Sequence, residues 1–171
     1  MVATPTNVKH DRPMSKNNPK PQNILKLERY LPYRLSILSN RISGLISETY
    51  GNKFALSITE WRIMAVLGEY PGVSADEVSI KTQIEKSILS RAISKLLHRK
   101  LLQREFDPAD KRRSMLHLTD TGLSVYDDLV PVSYAYEQDL LTCFNDAERE
   151  QFSELIDRLY QHAESSIAKA P

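Results

Sequence analysis

A basic helical pattern that runs directly into two short strands constrains the fold of this chain more than any other feature, and it occupies residues 82–122. Its apolar residues recur every three or four positions, as a buried helix face requires: Ile84, Ile88, Leu89, Ala92, Ile93, Leu96 and Leu97. Short hydroxyls and cations form the opposite face: Lys86, Ser87, Ser90, Arg91, Ser94 and Lys95. Small side chains allow close approach to a major groove, and Arg or Lys reaches bases and phosphates. The pattern predicts a DNA-binding helix with contacts from Lys86, Ser87, Ser90, Arg91 and Lys95.

The two strands are predicted over residues 101–106 and 114–118, where apolar and polar residues alternate. The charged, proline-containing segment between them indicates a hairpin with a long loop. We interpret this loop as a wing: Arg112 extends from its tip into a minor groove, oriented by Asp110, and Arg113 contacts DNA beside it. In the alternative interpretation, the loop is an exposed turn whose Asp and Arg only pair with each other.

Helix-start signals surround this segment. Each places a hydroxyl three residues before a carboxylate: Ser57 with Glu60, Ser74 with Glu77, and Thr82 with Glu85. They predict helices over about 58–69 and 75–81, followed by the basic helix. A short helix, a tight turn and a longer basic helix form a helix-turn-helix motif. We therefore place Ser74 and Thr82 at the DNA surface as well.

Upstream of this motif, apolar residues recur at helical spacing as a core-facing stripe that includes Leu31 and Leu38. Proline suits the first turn of a helix, so a long helix is predicted from about Pro32 to near Gly51. A separate short helix is predicted over residues 24–31.

Downstream of the motif, two further helices are predicted. The first covers about residues 123–144, with an interruption or a bend near Pro131. The second covers about residues 146–168 and is opened by Asn145 with Glu148. The fold class is therefore mainly α with a small β-hairpin wing: a winged helix-turn-helix between N- and C-terminal helices.

Charge is distributed unevenly along the chain. The whole chain carries +1, but the net charge is +6 for residues 1–57, −3 for 58–80, +6 for 81–113 and −8 for 114–171. The acidic C-terminal part would be repelled by phosphate, so we expect it to lie away from DNA. Residues 1–22, rich in Pro, Asn, Lys and Ser, are predicted to be a disordered basic arm, either a mobile tail or an extra phosphate contact.

The length and composition of the chain limit the number of domains and the cellular compartment that we expect. A chain of 171 residues with 41% hydrophobic content suffices for one compact domain and a tail. No apolar run is long enough for a bilayer and no signal peptide is recognisable, so we expect a cytoplasmic protein. The single Cys143 fits that compartment, because it allows no intrachain disulfide. We interpret it as a packing residue, with a peroxide-sensing thiol as the alternative.

Sequence signals of an enzyme are weak. The four histidines are scattered, with no Cys or carboxylate at metal-ligand spacing, which argues against a zinc site. The five glycines include no phosphate-binding loop, and no Ser, His and Asp set has the context of a nucleophile. We predict neither an enzyme nor a metal or cofactor.

Three motifs carry a resemblance to a known family. They are Glu60-Trp61-Arg62, Ser87-x-x-Ser90-Arg91, and Asp107-Pro108-x-Asp110-x-Arg112 followed by Leu116-x-Leu118-Thr119-x-x-Gly122. Over roughly residues 30–165 the chain resembles the MarR-type winged-helix transcriptional regulators. The resemblance implies that Arg112 enters a minor groove and that the major groove is faced by Lys86, Ser87, Ser90 and Arg91. One departure is Lys100, where family members usually have a helix-ending Gly.

The resemblance further implies a homodimer. The helices of residues 23–56 and 121–171 would pair across a twofold axis, while residues 57–120 form the DNA-binding lobe. Periodicity alone also allows an intramolecular core for the side chains concerned: Leu140, Leu141, Phe144, Phe152, Leu155, Ile156, Leu159 and Tyr160. Two recognition helices about one helical turn apart bind palindromic DNA with half-sites roughly 10 bp apart. A ligand that changes their spacing would relieve repression.

The ligand is predicted from the run Tyr30 to Asn40, which resembles the first helix of family members that respond to aromatic carboxylic acids or their CoA thioesters. Arg34 would anchor the carboxylate. The other predicted ligand contacts are Tyr33, Leu38, Trp61 and Arg62. Alternatively, Arg34 or Arg62 only forms an ion pair with an acidic residue of the C-terminal helices.

Together these features predict a homodimeric, ligand-responsive transcriptional repressor that binds double-stranded DNA. The alternative is a helical protein-protein interaction module whose basic face binds an acidic protein and no specific DNA. A basic helix and an Arg-tipped hairpin placed together favour DNA, because a protein-binding module needs neither.

Overall fold

The computed structural model describes residues 23–106 and 114–167. The predicted arm, residues 1–22, and the predicted wing tip, residues 107–113, lie outside the described residues. The described residues belong to two compact units that divide after Ser39.

In the first unit a 3-10 helix, Leu27–Arg29, precedes helix α1, Leu31–Phe54, which continues into the second unit. The predicted start near Pro32 is confirmed, and α1 extends slightly beyond its predicted end. The expected core stripe is wrong for this unit, because Leu31 and Leu38 are 49% and 48% exposed. Helical spacing identifies an apolar face but does not say what covers it.

The second unit contains the predicted helix-turn-helix. Helix α2, Ile58–Glu69, and helix α3, Ala75–Thr82, each begin with a capping box, and helix α4, Lys86–His98, follows a tight turn. In a capping box the hydroxyl and the carboxylate each accept a backbone N–H that the helix cannot pair. The predictions for α2 and α3 are therefore confirmed, since both signals are local.

The predicted capping of α4 by Thr82 is wrong. Thr82 ends α3, and its hydroxyl donates to the carbonyl of Val78 at 2.7 Å. Gln83 then turns the chain with a left-handed φ of 54°. Glu85 is the N-cap of α4, and its carboxylate accepts the backbone N–H of Ser87 at 3.0 Å. Because the chain reverses direction at Gln83, the carboxylate of Glu85 caps α4 and the hydroxyl of Thr82 does not.

Helix α4 ends in a turn closed by Lys100, whose φ of 57° lies in the left-handed region that favours Gly. The Leu101 N–H donates to the carbonyl of Leu96 at 3.0 Å, and the Lys100 N–H donates to that of Leu97 at 3.0 Å. These bonds pair carbonyls at the helix end as a Schellman motif does. Lys100 thus adopts the helix-ending conformation that glycine usually has in the family that this sequence resembles.

Strand β1, Leu102–Phe106, pairs antiparallel with strand β2, Ser114–Leu118, and Leu102 lies opposite Leu118. The predicted hairpin is confirmed. Its buried side chains are Leu102, Leu116 and Leu118. This apolar face fixes the hairpin to the helices.

Helix α5, Asp120–Leu140, a 3-10 helix, Leu141–Cys143, and helix α6, Asp146–Ile167, follow the hairpin. Helix α5 begins three residues earlier than predicted, because Thr119 caps it, and it continues through Pro131. The capping box predicted before α6 is confirmed.

The core of the second unit is formed by α2, α3, α4, the hairpin and parts of α1 and α5. Its least exposed large side chains are Tyr50, Leu56, Ile63, Met64, Leu67, Val78, Ile93, Leu96 and Leu116. A mostly helical chain with a two-stranded antiparallel hairpin after a helix-turn-helix is a winged helix, which confirms the predicted fold class. Within residues 23–106 and 114–167, no helix is long and apolar enough to cross a membrane.

Candidate nucleic-acid interface and ligand site

Helix α4 buries one face and exposes the other. Its buried side chains are Leu89, Ala92, Ile93 and Leu96. The predicted DNA contacts on this helix are all exposed: Lys86, Ser87, Ser90, Arg91 and Lys95. Ile88, which the sequence pattern assigned to the core, is 45% exposed. The buried sector of α4 is therefore narrower than the apolar pattern suggested.

The first turn of α4 also carries a negative charge. The Glu85 carboxylate accepts the Ser87 hydroxyl and the Ser87 backbone N–H. These two hydrogen bonds are the main reason that the pKa of Glu85 is lowered from its ordinary value, and the nearby charge of Arg91 adds a little. The predicted DNA-binding hydroxyl of Ser87 therefore has a partner within the chain.

Three other predicted DNA contacts are tied to α3. The Nζ atom of Lys86 lies 2.8 Å from Oδ1 of Asp76 in an exposed ion pair, a kind that adds little stability. Ser74 Oγ accepts the backbone N–H of Glu77 at 3.2 Å. The hydroxyl of Thr82 is bonded within the same helix. The hydroxyls of Ser74 and Thr82 thus serve the fold of α3, and their contact with DNA stays a prediction.

Farther along α4, Arg91 is exposed and its Nε donates to the Ser87 carbonyl at 3.3 Å. Ser90 is exposed one residue before it. Lys95 lines an open cleft of about 590 Å³ that α4 shares with the junction of α1 and α2. The exposed side chains extend over successive turns of the helix, as a groove-binding face requires.

Arg99 joins the end of α4 to the end of α1, a role that the sequence analysis did not identify. Its guanidinium donates to the carbonyl of Ala55 at 2.8 Å and to that of Phe54 at 3.0 Å. The planar fork of arginine suits two neighbouring acceptors. No sequence signal distinguishes this Arg from the other cations of the basic segment.

The base of the wing is anchored to the segment before α3. The Leu116 N–H donates to the Val73 carbonyl at 2.9 Å, and the Gly72 N–H donates to the Leu116 carbonyl at 3.1 Å. Gly72 has a φ of 79°, which glycine adopts at little cost. The predicted wing residues lie outside the described residues: Asp110, Arg112 and Arg113.

Two of the predicted ligand residues lie on α2. The ring of Trp61 stacks on that of Tyr50 with 5.5 Å between centroids, and the Tyr50 hydroxyl lies 2.7 Å from Ser133 Oγ. Within the described residues, Trp61 Nε1 and the Tyr136 hydroxyl are buried without a hydrogen-bond partner. Buried polar groups are normally paired, so each can bind an incoming polar atom. The sequence analysis missed Tyr50, Ser133 and Tyr136, because nothing local distinguishes them from other helical residues.

Arg62, the second of these α2 residues, donates from Nη2 to Ser43 Oγ at 3.3 Å. Of the ion pairs between described residues, none includes Arg34 or Arg62, so the alternative interpretation of these arginines finds no support there. Tyr33, Arg34 and Leu38 are exposed on the part of α1 that belongs to the first unit.

The described part of the chain contains no cluster of side chains arranged for metal binding or thiol chemistry. There, no three His, Cys, Asp or Glu side chains are grouped as a metal site requires. Cys143 is exposed, so our interpretation of it as a packing residue is wrong. It follows a helix end where few side chains cover it, which its sequence neighbours did not reveal.

Comparison with known proteins agrees with this geometry. Residues 56–113 match the model of the MarR family. The transcriptional regulator HosA of Escherichia coli O111:H- is 25% identical over 104 residues, which cover 61% of this chain and 77% of HosA. The chain spans 60% of the length of another relative, from Thauera aromatica. A MarR/EmrR family transcriptional regulator from Acinetobacter sp. ADP1 is 27% identical with a TM-score of 0.76, covering 82% of this chain and 99% of that one.

A further structure of the same fold is that of BpsR from Bordetella bronchiseptica, whose DNA binding is regulated by 6-hydroxynicotinic acid. It is 24% identical, with a TM-score of 0.69, over 76% of this chain and 98% of BpsR. The hairpin and the helix-turn-helix together define a winged-helix fold, with one face of α4 exposed. Residues 56–113 match the MarR family model, and the chain is similar in sequence and fold to transcriptional regulators of that family.

Proposed function

We propose that this chain is a homodimeric repressor that binds palindromic operator DNA and is released by a small aromatic carboxylate or its CoA thioester. The observation that carries the DNA contact is α4, which exposes Ser87, Ser90 and Arg91 while its other face is buried. The net charge of +6 over residues 81–113 attracts phosphate. In this proposal helix α4 enters the major groove, Arg112 contacts the adjacent minor groove, and Arg113 contacts DNA beside it.

The ligand is proposed to bind at Trp61 and Arg62, and ligand contacts by Tyr33, Arg34 and Leu38 stay predictions from the sequence. Two observations on α2 support this: the Nε1 donor of Trp61 is unpaired within the described residues, and Arg62 is in no ion pair there. An arginine can hold a carboxylate through two parallel hydrogen bonds. BpsR, a protein of the same fold, is regulated by an aromatic carboxylic acid.

Release of DNA requires that the ligand favours one arrangement of α4 over another. Arg99 offers a physical link, because it joins the carbonyls at the end of α1 to the end of α4. A ligand that displaces α1 would then displace α4 and change the spacing of the two recognition helices.

The first test is binding of the purified protein to DNA from its own upstream region, measured by gel shift over a salt series. We expect salt-sensitive, sequence-specific binding that Arg91→Ala weakens by about tenfold or more. Arg112→Ala is expected to have a similar effect. Arg158→Ala, which removes an exposed cation from the acidic helix α6, is the matched control and should bind as the wild type does. Unchanged binding by both test variants would refute the assignment of α4 and the wing to DNA.

The ligand is tested separately by fluorescence, because Trp61 is the only tryptophan of the chain. Titration with p-coumarate, ferulate, vanillate and their CoA thioesters should change its emission and release the DNA at similar concentrations. Arg62→Lys keeps the charge but loses the planar fork, so it should weaken release while leaving DNA binding intact. Specific DNA binding that none of these compounds releases would refute this ligand class and leave the DNA proposal standing.

A further inference from the structure

Ile88 occupies a position in α4 that the core does not explain. It is the third residue of the helix and 45% exposed, whereas Leu89 and Ala92 beside it are 2% and 7% exposed. A large aliphatic side chain that stays this exposed loses about half of the stabilisation that full burial would give. A polar residue at this position would serve the fold equally well.

The polar side chains next to Ile88 are already engaged. The Ser87 hydroxyl donates to Glu85, and Lys86 is paired with Asp76 at 2.8 Å. Ile88 therefore lies exposed in the first turn of α4 beside two side chains that have partners within the chain. The N-terminal turn of a recognition helix is the part that contacts base edges.

We propose that Ile88 is a specificity-determining residue that packs against the C5-methyl group of a thymine in each half-site. Among the base-edge groups of the major groove, the thymine methyl is the one that an aliphatic side chain recognises. The positive charge of residues 81–113 favours DNA over an apolar protein surface as the occupant of this face. The inference rests on the proposed function, because it requires α4 to lie in the major groove.

The test replaces thymine by deoxyuridine, which removes the methyl group and leaves base pairing unchanged. The specific site is located by footprinting with the full-length protein, and each thymine is then replaced in turn in both half-sites. For the wild type, one thymine position should lower affinity about fourfold per half-site, the effect of one methyl group removed from water. Ile88→Ala should bind the natural site more weakly and should not respond to the same replacement.

Ile80→Ala is the matched control, because Ile80 is 67% exposed on α3 and undergoes the same truncation. It should keep the wild-type response to deoxyuridine. Ile88→Ala should fold normally, as circular dichroism can verify, because the site is exposed and Ala favours helices.

Specific binding with no thymine position sensitive to the replacement would overturn the inference, as would an Ile88→Ala variant as sensitive as the wild type. In both cases the proposed function would stand, because specific binding is retained. If the protein bound no DNA site specifically, the proposed function would fail and this inference with it.

Discussion

Gly122 shows how one residue of the wing motif fixes the arrangement of two elements. The Thr119 hydroxyl donates to the Lys100 carbonyl at 2.7 Å and accepts the Gly122 N–H at 3.0 Å, so it joins the end of α4 to the start of α5. A Cβ atom on Gly122 would lie 2.0 Å from the backbone oxygen of Leu101. Backbone cannot move away as a flexible side chain can, so only glycine fits here.

Gly122→Ala should therefore destabilise the protein by about 3 kcal/mol or more, a fall in Tm of roughly 10 °C in thermal denaturation. Gly51→Ala is the control, because its added Cβ meets nothing within 4 Å on α1. That change should stabilise by about 0.5–1 kcal/mol, since Ala is the better helix former. Equal effects of the two substitutions would show that the contact with Leu101 does not constrain Gly122.

At the scale of an element, the capping box of α3 makes stability depend on pH. The Glu77 carboxylate accepts the Ser74 backbone N–H at 2.8 Å and the Ser74 hydroxyl at 2.7 Å, and these bonds lower the pKa of Glu77 from its ordinary value of 4.5. The folded pKa is below the unfolded one, so the carboxylate stabilises the protein above pH 4.5. This contribution disappears as the pH falls through the folded pKa.

Glu77→Gln should accordingly lower Tm at neutral pH, and the difference from wild type should disappear as the pH falls through the folded pKa of Glu77, below which both side chains are uncharged. Glu154→Gln, on the exposed surface of α6, serves as the control for loss of one charge. A Glu77→Gln deficit that persists unchanged at acid pH would mean that the side chain acts through its shape and not its charge.

At the scale of the whole molecule, α6 leaves a row of apolar side chains exposed. They recur at helical spacing and are 39–57% exposed: Phe152, Leu155, Ile156, Leu159 and Tyr160. They are not part of a core within the described chain, so the intramolecular alternative is wrong for them. Contiguous apolar surface of this kind marks interaction sites, which supports the proposed homodimer.

Ile156→Glu should weaken dimerisation by on the order of a hundredfold, because it would bury a charge in an apolar interface. Sedimentation equilibrium over a concentration series measures this directly. Glu154→Gln lies on α6 away from the apolar row and should dimerise as the wild type does. A wild-type protein that is monomeric at micromolar concentration would refute the homodimer.

The local signals of the sequence were enough for much of the fold. Capping-box spacing located α2, α3 and α6, and alternation located the hairpin, because these patterns act between residues that are near in sequence. The polar face of α4 could also be predicted, since helical geometry alone places Ser87 and Arg91 on one side.

Tertiary structure decided what those patterns left open. The turn at Gln83 moved the cap of α4 to Glu85, and packing of α4 in the lobe left Ile88 outside the core. The links made by Arg99, and the lack of a partner for Trp61 Nε1 among the described residues, depend on residues distant in sequence. Periodicity determines that a helix has an apolar face, whereas burial depends on which other elements reach that face, and this is a property of the folded chain.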